Sequence, residues 1–267
     1  MTTSDDLIRH LEQPGVDGDP DREILRLQPD LTQDGALALQ LAVKRRRVAE
    51  GDRIVGHQAS FTSAAIRTMF PDAPRPMIGT LLASLVRGDC EAVPLDSDRA
   101  FIESEMALIL DRDLEGPDLT AAEVLRAVDG FFPAIEVAPL RRGALEGAYS
   151  NQHMIAVQKA AGGFVVFGDR ITPAAGFDCR AEGCLVAIDG EVRAGATGFE
   201  AMGSPLRVVA AMAAGLARIG EKLHAGQVVM TGSLAPPQVV TAAHRSAHLQ
   251  FQTLGGVSVR FADPSAA

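Results

Sequence analysis

The chain has 267 residues, a formal charge of −9 and no tryptophan. The length is ample for a continuous core, and a hydrophobic fraction of 47% excludes an intrinsically disordered protein. The acidic excess argues against nucleic acid or an anionic membrane as the main partner, because phosphate groups are bound by clustered positive charge. We therefore expect a soluble globular protein.

The first residues give no sign of export, because acidic residues stand where a signal peptide carries basic ones and no apolar segment follows. Nor does the sequence contain a run of about 18 apolar residues that could cross a membrane. The three cysteines, Cys90, Cys179 and Cys184, lack the spacing of a zinc site, and an odd number cannot all pair. These features predict a cytoplasmic protein whose thiols are buried or bystanders.

Two helices are predicted before residue 50. Residues 5–12 form a short helix, and Thr32 caps a second helix that ends near Ala49. Residues 44–47 are four consecutive basic residues in its last turn, and a solvated face that complements the helix dipole explains them better than nucleic-acid binding does. We expect residues 1–75 to form a helical N-terminal lobe that leads into a core domain of residues 76–267.

From residue 53 onward the pattern changes to short apolar strands separated by glycine, proline and aspartate. Strands are predicted at residues 53–58, 100–110, 134–137, 163–167, 184–188, 191–196, 227–231, 248–252 and 257–261. The Asp-Gly pair at 189–190 predicts a tight hairpin turn. Two helices interrupt the strands, one over residues 120–129 with a capping box and one after Ser204 with Pro205 in its first position. The predicted fold class is mixed α/β, a β-rich roll with a helical N-terminal lobe.

The acidic excess is concentrated in one segment. Residues 89–136 contain 13 acidic and three basic residues, while the remainder of the chain is almost neutral. Glu103 and Glu105 lie in a predicted strand there, so both side chains point to the same face. Both faces of this strand are largely apolar, and adjacent buried carboxylates repel each other unless a cation lies between them. The alternative is an exposed edge strand whose charges discourage aggregation, and the spacing alone leaves both interpretations open.

Glu136 adds a third carboxylate, because it interrupts the apolar run of residues 131–137. Acidic side chains are rare in buried strands unless they are paired or bind a metal. Three glutamates from two strands match the ligands of a hard cation such as Mg²⁺ or Mn²⁺. We therefore predict Glu103, Glu105 and Glu136 as metal ligands, and we expect the acidic residues of the loop 111–118 to be solvated.

Five motifs occur along the chain in an order that is typical of one enzyme superfamily. They are Gly51–His57, Glu103–Leu114, Pro133–Val137, Gly203–Pro205 and Leu223–Leu234. Together they resemble the 2-keto-4-pentenoate hydratase and 4-oxalocrotonate decarboxylase branch of the fumarylacetoacetate hydrolase superfamily, over about residues 35–261. The resemblance implies a mixed β-roll, a Mg²⁺ or Mn²⁺ ion held by Glu103, Glu105 and Glu136, small 2-keto or 2-hydroxydienoate acids as substrates, and a homo-oligomer.

The resemblance also implies a lyase of the hydratase or decarboxylase type. A 2-keto acid can chelate the cation through a carboxylate oxygen and its keto oxygen, and the cation then stabilises the charge that develops during enolisation. Hydration of a conjugated double bond, loss of CO₂ and carbon–carbon cleavage can all proceed from that enolate, and the surrounding acid–base groups select among them. We expect such a lyase, or one that has diverged to a specialised pathway step.

The acid–base residues depart from the pattern of this branch. Gln58 stands where the branch has the lysine of Gly-x-Lys-x-Gly-Leu-Thr, and a glutamine supplies neither charge nor a titrating proton. Residues 158–162 stand where the branch has a segment like Asp-Asn-Ala-Ser, so the aspartate of that segment is lost and Lys159 is introduced. We predict Lys159, His57 and Gln58 as catalytic residues, with His153 as a further proton-transfer candidate. The alternatives are an ordinary exposed lysine at 159 and a structural histidine at 57.

Three hydroxyl side chains are candidates for substrate binding. Thr62 lies in the segment that matches the lysine motif, and Thr231 and Ser233 flank Gly232. For Thr231 and Ser233 the alternative is turn chemistry around the glycine. The competing function for the whole chain is a catalytically impaired relative that acts as a partner subunit or binds small acids, because the substitution of the lysine leaves the metal site without the usual chemistry.

Overall fold

The structure, a computed structural model, describes residues 27–69, 76–95, 99–139 and 163–262. The α-helices in these ranges are α1 (Gln33–Ala49), α2 (Ala64–Met69), α3 (Ala121–Arg126) and α4 (Pro205–Ala217), with short 3₁₀ helices at Ala83–Leu85 and Gly198–Glu200. Among the described helices, none combines the length and the apolar composition that crossing a bilayer requires.

The strands belong to two sheets. They are β1 (Ile54–Ser60), β2 (Met77–Leu82), β3 (Val86–Gly88), β4 (Ala92–Val93), β5 (Arg99–Leu110), β6 (Val128–Pro139), β7 (Phe164–Phe167), β8 (Thr172–Pro173), β9 (Gly183–Ile188), β10 (Glu191–Thr197), β11 (Val228–Met230), β12 (Gln238–Thr241), β13 (Ser246–Phe251) and β14 (Gly256–Phe261). The larger sheet has the order β2-β1-β11-β5-β6-β7-β3, with β12 beside β5 and β8 beside β6. The smaller sheet has the order β10-β9-β13-β14-β4.

The larger sheet curls into a half-barrel, and its centre is the long antiparallel pair β5–β6. The predicted mixed α/β class is confirmed, as is a helix in the N-terminal part. The two-part division between residues 75 and 76 stays a prediction, because residues 70–75 lie outside the described ranges. The short helix predicted for residues 5–12 lies outside them as well.

The two faces of the larger sheet have different neighbours. One face packs against α4 and the smaller sheet in the main core, to which Ile102, Met106 and Leu108 of β5 contribute. The opposite face carries a second apolar cluster, which includes Ala107 of β5. Because successive residues of a strand point to opposite faces, the odd-numbered residues of β5 share the second face, and these include the two predicted ligands of that strand.

Side-chain caps confirm the predicted helix starts. The hydroxyls of Thr32, Thr120 and Ser204 each accept a hydrogen bond from a backbone N–H in the first turn of α1, α3 and α4. The predicted hairpin turn at 189–190 joins β9 to β10, and both of its residues have positive φ angles, 50° and 83°.

Two local predictions are wrong. The helix predicted over residues 120–129 ends at Arg126, because Val128 already begins β6 and pairs with β5. Lys44 is not part of a solvated basic face, since only 2% of it is exposed. It lies one turn after the buried Gln40, so both side chains point from the same face of α1 into the protein.

Helix α1 covers the edge of the larger sheet that β2 forms. The Gln40 side chain donates a hydrogen bond from Nε2 to the carbonyl oxygen of Ile78 (2.9 Å) and accepts one at Oε1 from the amide of Thr80 (2.9 Å). The glutamine amide thereby satisfies the two backbone groups that a neighbouring strand would otherwise bind.

Candidate metal centre

Three carboxylates meet on the second face of the larger sheet. Glu103 and Glu105 extend from β5 and Glu136 from β6, and one oxygen atom of each lies within 4.8 Å of the others. Glu105 and Glu136 are buried, and Glu103 is half-buried. The structure therefore brings together the three residues that the sequence predicts as metal ligands.

The register of the central strand pair creates this cluster. Glu103 lies directly opposite Glu136, and Glu105 is two residues further along β5. Like charges that face each other across a strand pair destabilise a sheet unless a positive group compensates them. A set of three carboxylate oxygen donors suits the hard cations Mg²⁺ and Mn²⁺, so the residues present fit such an ion.

Two neutral donors form hydrogen bonds with the buried carboxylates. The backbone amide of Gly232 donates to Glu105 Oε2 (2.7 Å), and Gln58 Nε2 donates to Glu136 Oε1 (2.8 Å). Hydrogen bonds to ionised carboxylates are stronger than neutral ones. Carboxylates that bind metals in proteins usually accept hydrogen bonds of this kind from neighbouring groups.

A tight contact between two loops fixes the position of the Gly232 amide. Gly232 has a φ angle of +89°, and a Cβ atom there would lie 2.1 Å from Thr62 Oγ1. Thr62 Oγ1 in turn donates to the carbonyl oxygen of Thr231 (2.9 Å). Phe61 precedes Thr62 in the chain, and the amide of Met202 donates to the carbonyl oxygen of Thr62 (3.1 Å). Both residues have positive φ angles although neither is a glycine, and such strained backbone is often found at functional sites.

The predicted substrate-binding hydroxyls all donate to backbone carbonyls. Besides the bond from Thr62, Thr231 Oγ1 donates to the carbonyl oxygen of Met106 and Ser233 Oγ to that of Ala235, both at 2.8 Å. This arrangement fits the alternative interpretation, in which the hydroxyls hold the loop around Gly232. Ser233 Oγ also accepts a hydrogen bond from the amide of Ser104 (3.1 Å). Substrate binding by these three residues stays a prediction, which these contacts do not test.

His57 points away from the carboxylates. Its neighbour Gln58 reaches Glu136, whereas His57 shares the opposite face of β1 with Ala59, which belongs to the main core. Its Nδ1 lies 3.5 Å from Thr80 Oγ1. Burial, and to a smaller extent the positive charge of His224, lowers the pKa of His57 from 6.5 to about 4. The position matches the alternative of a structural histidine, and the catalytic role stays a prediction without support from these contacts.

The two remaining proton-transfer candidates, Lys159 and His153, lie outside the described residues. Sequence reasoning also missed two groups that shape the site. It treated Gly232 only as a turn residue, whereas its amide binds Glu105. It assigned no role to Ser104, whose hydroxyl accepts a hydrogen bond from the amide of Ala235 (3.0 Å) and anchors the same loop. The position of Ser104 between two predicted ligands could have indicated that it lies close to the site.

Replacing Gly232 should weaken metal binding more than replacing another glycine that has a positive φ angle. We expect Gly232→Ala to weaken Mn²⁺ binding at least tenfold, because the new methyl group would displace Thr62 and move the amide that binds Glu105. Isothermal titration calorimetry measures the affinity. Gly226→Ala is the matched control, since Gly226 has a φ angle of +79° but a methyl group added there would meet no atom within 4 Å. Equal Mn²⁺ affinities in the two variants would contradict the prediction.

The buried His57 should make stability depend on pH. Below pH 6.5 the unfolded chain takes up a proton at this residue, whereas the folded protein keeps it neutral down to about pH 4. The free energy of unfolding should therefore fall by about 2 kcal/mol from this residue alone between pH 7 and pH 5. Urea unfolding of His57→Asn at both pH values should show a correspondingly smaller decrease than the wild type. An identical decrease in both proteins would contradict the lowered pKa of His57 in the folded protein.

Comparison with known proteins finds the same architecture and related sequences. The family model for the fumarylacetoacetate hydrolase C-terminal domain matches residues 53–261. The 2-keto-4-pentenoate hydratase of Burkholderia vietnamiensis is 33% identical over 230 residues, which cover 85% of this chain and 86% of that protein. The TodF product hydratase of Pseudomonas putida is 30% identical over 258 residues, which cover 96% and 93%.

Among solved structures, the 4-oxalocrotonate decarboxylase from Pseudomonas putida G7, complexed with magnesium and adipate, superposes with a TM-score of 0.85. The two sequences are 25% identical, and the superposition covers 98% of this chain and 99% of the decarboxylase. The similarity therefore extends over nearly the whole length of both chains.

Proposed function

The chain belongs to the fumarylacetoacetate hydrolase family, and on that premise we propose that it is a metal-dependent lyase that acts on a small 2-keto acid or 2-hydroxydienoate. Within the family it falls in the branch of the 2-keto-4-pentenoate hydratases and 4-oxalocrotonate decarboxylases, and it is a lyase of that type. The observation that carries the proposal is the convergence of Glu103, Glu105 and Glu136 within 4.8 Å.

The three carboxylates would hold Mg²⁺ or Mn²⁺. When bound, the ion would supply Lewis acidity toward the keto oxygen of a chelating substrate and a template for its orientation. The backbone amide of Gly232 would keep Glu105 oriented toward the ion through the hydrogen bond described above. The magnesium in the structure of the P. putida decarboxylase supports this choice of ion.

Apolar side chains next to the carboxylates would limit the access of water. Ala107 and Met230 lie on the same face of the sheet, together with other buried residues of the second apolar cluster. A surface of this kind suits the hydrocarbon part of a dienoate, and it lowers the local dielectric constant so that charges in the site interact more strongly.

Charge balance favours a cationic partner for the substrate. Three carboxylates and one divalent ion leave a net charge of −1, so that an anionic substrate needs a further positive group. We assign this role, and that of proton transfer, to Lys159. Gln58 is unsuited to either, because its amide neither carries charge nor titrates.

A second candidate function is a binding protein without turnover, retained as a partner subunit or for small acids. The observation that favours it is the neutral Gln58, which occupies a buried position beside Glu136 and has no proton to transfer. In that case the metal site would be kept while the reaction would be lost.

Turnover of a conjugated dienoate tests the lyase proposal. We expect the purified protein with Mg²⁺ or Mn²⁺ to consume 2-hydroxypentadienoate, with loss of its ultraviolet absorbance, and EDTA to stop the reaction. Glu105→Gln should abolish both turnover and Mn²⁺ binding, because it removes one charge from a buried ligand.

Glu182→Gln is the matched control for this variant. Glu182 is also buried, but its carboxylate accepts hydrogen bonds from the amides of Thr253 and Leu254, away from the metal ligands. We expect this substitution to lower stability and to leave Mn²⁺ affinity unchanged. Unchanged Mn²⁺ affinity in Glu105→Gln would refute the ligand assignment, and Mn²⁺ binding by a wild type that is inert toward dienoates and oxalocrotonate would favour the binding protein.

Lys159→Met tests the proton-transfer assignment. The substitution should reduce turnover of the dienoate at least a hundredfold, because a general acid–base contributes about 10²–10⁴-fold to a rate. Mn²⁺ affinity should stay within a factor of two, since the carboxylates remain. Turnover near the wild-type rate would show that another residue moves the proton.

A further inference from the structure

The hydrogen bond between Gln58 and Glu136 joins strands that are not neighbours. In the larger sheet, β11 and β5 lie between β1, which carries Gln58, and β6, which carries Glu136. Three strand spacings on a flat sheet amount to roughly 14 Å. Yet Gln58 Nε2 lies 2.8 Å from Glu136 Oε1, so the curl of the sheet brings the two side chains together across its concave face.

We propose that Gln58 is a positioning residue that fixes the orientation of Glu136 for the metal ion. This inference rests on the proposed metal-dependent function and assigns Gln58 a different role from proton transfer. A glutamate side chain can turn either carboxylate oxygen toward a metal, and a fixed N–H donor at Oε1 selects one of these orientations. Gln58 is itself 4% exposed, so packing restricts the donor as well.

The neutrality of the amide is part of this role. A lysine at the same position could also donate to Glu136, but it would add a positive charge beside the carboxylates that would hold the cation. Gln58 donates without adding a formal charge to the cluster, so it orients the ligand while the net charge of the three carboxylates stays the same. The Gly232 amide, another uncharged donor, acts on Glu105 in the same way.

Loss of the donor should weaken metal binding while leaving the three ligands in place. Groups that orient metal ligands typically change the affinity by a factor of 10 to 100 when they are replaced. We therefore expect Gln58→Met, which keeps the length of the side chain and removes the amide, to raise the dissociation constant for Mn²⁺ within that range. Titration calorimetry without substrate measures it directly.

Gln40→Met is the matched control. Gln40 is likewise a buried glutamine, but its amide binds the backbone of Ile78 and Thr80 at the sheet edge. Its substitution should lower the urea midpoint and leave Mn²⁺ affinity within a factor of two of the wild type. Gln58→Asn provides a second variant, because it keeps an amide but withdraws it by about 1.5 Å, and it should weaken Mn²⁺ binding in the same direction.

A rate measurement separates positioning from proton transfer. At saturating Mn²⁺ a positioning defect should largely disappear, so we expect Gln58→Met to regain a kcat within tenfold of the wild type. A kcat that stays a thousandfold lower despite saturation would overturn the positioning role, and so would an Mn²⁺ affinity within a factor of two of the wild type. Equal losses of affinity in Gln58→Met and Gln40→Met would overturn it too, because general destabilisation would then explain both.

The affinity measurement also distinguishes this inference from the proposed function. If the wild type binds Mn²⁺ but turns over no keto acid, the lyase proposal fails while the comparison of Gln58 variants still decides the positioning role. If the wild type turns over substrate and Gln58→Met binds Mn²⁺ normally, the inference about Gln58 fails and the lyase proposal stands.

Discussion

Repulsion among three carboxylates is the constraint on which the rest of the structure depends. At a separation of 4.8 Å, two such charges repel by about 3.5 kcal/mol at an effective dielectric constant of 20. Two neutral hydrogen-bond donors reduce this cost for Glu105 and Glu136, but they leave the net charge unchanged. A divalent cation at this position would remove most of that cost, so the charges that destabilise the metal-free protein would be the ones that attract the proposed ion.

The alternation of side chains in β5 allows one strand to serve both stability and chemistry. Its even-numbered residues, such as Met106 and Leu108, lie in the main core. Its odd-numbered residues place Glu103 and Glu105 on the other face. The loop around Gly232 then supplies a backbone donor to Glu105, and the loop can pack this closely against Thr62 because position 232 has no Cβ atom.

The local sequence pattern was sufficient to predict the two central strands. It was not sufficient to predict contacts between residues that are distant in the sequence. The period-two pattern of β5 and the lone glutamate of β6 predicted the carboxylate cluster. The same period would have placed His57 and Gln58 on opposite faces, although both were predicted as catalytic. Strand β2 was not predicted, because its sequence shows no alternation of apolar and polar residues. All six of its residues are buried in the structure. The contact from Gln58 to Glu136 depends on the curl of the sheet, which no local pattern encodes.

The hydrogen bonds of the Gln40 side chain link helix α1 to the larger sheet. The family match starts at residue 53, after α1, so the helix stands outside the unit that the family defines. Yet the Gln40 side chain forms hydrogen bonds with the carbonyl oxygen of Ile78 and the amide of Thr80, which lie at the outer edge of β2. Without this helix the half-barrel would expose the edge of β2, and a strand of another chain could pair with it. Helix α1 is therefore better described as the closing element of the sheet than as an appendage to it.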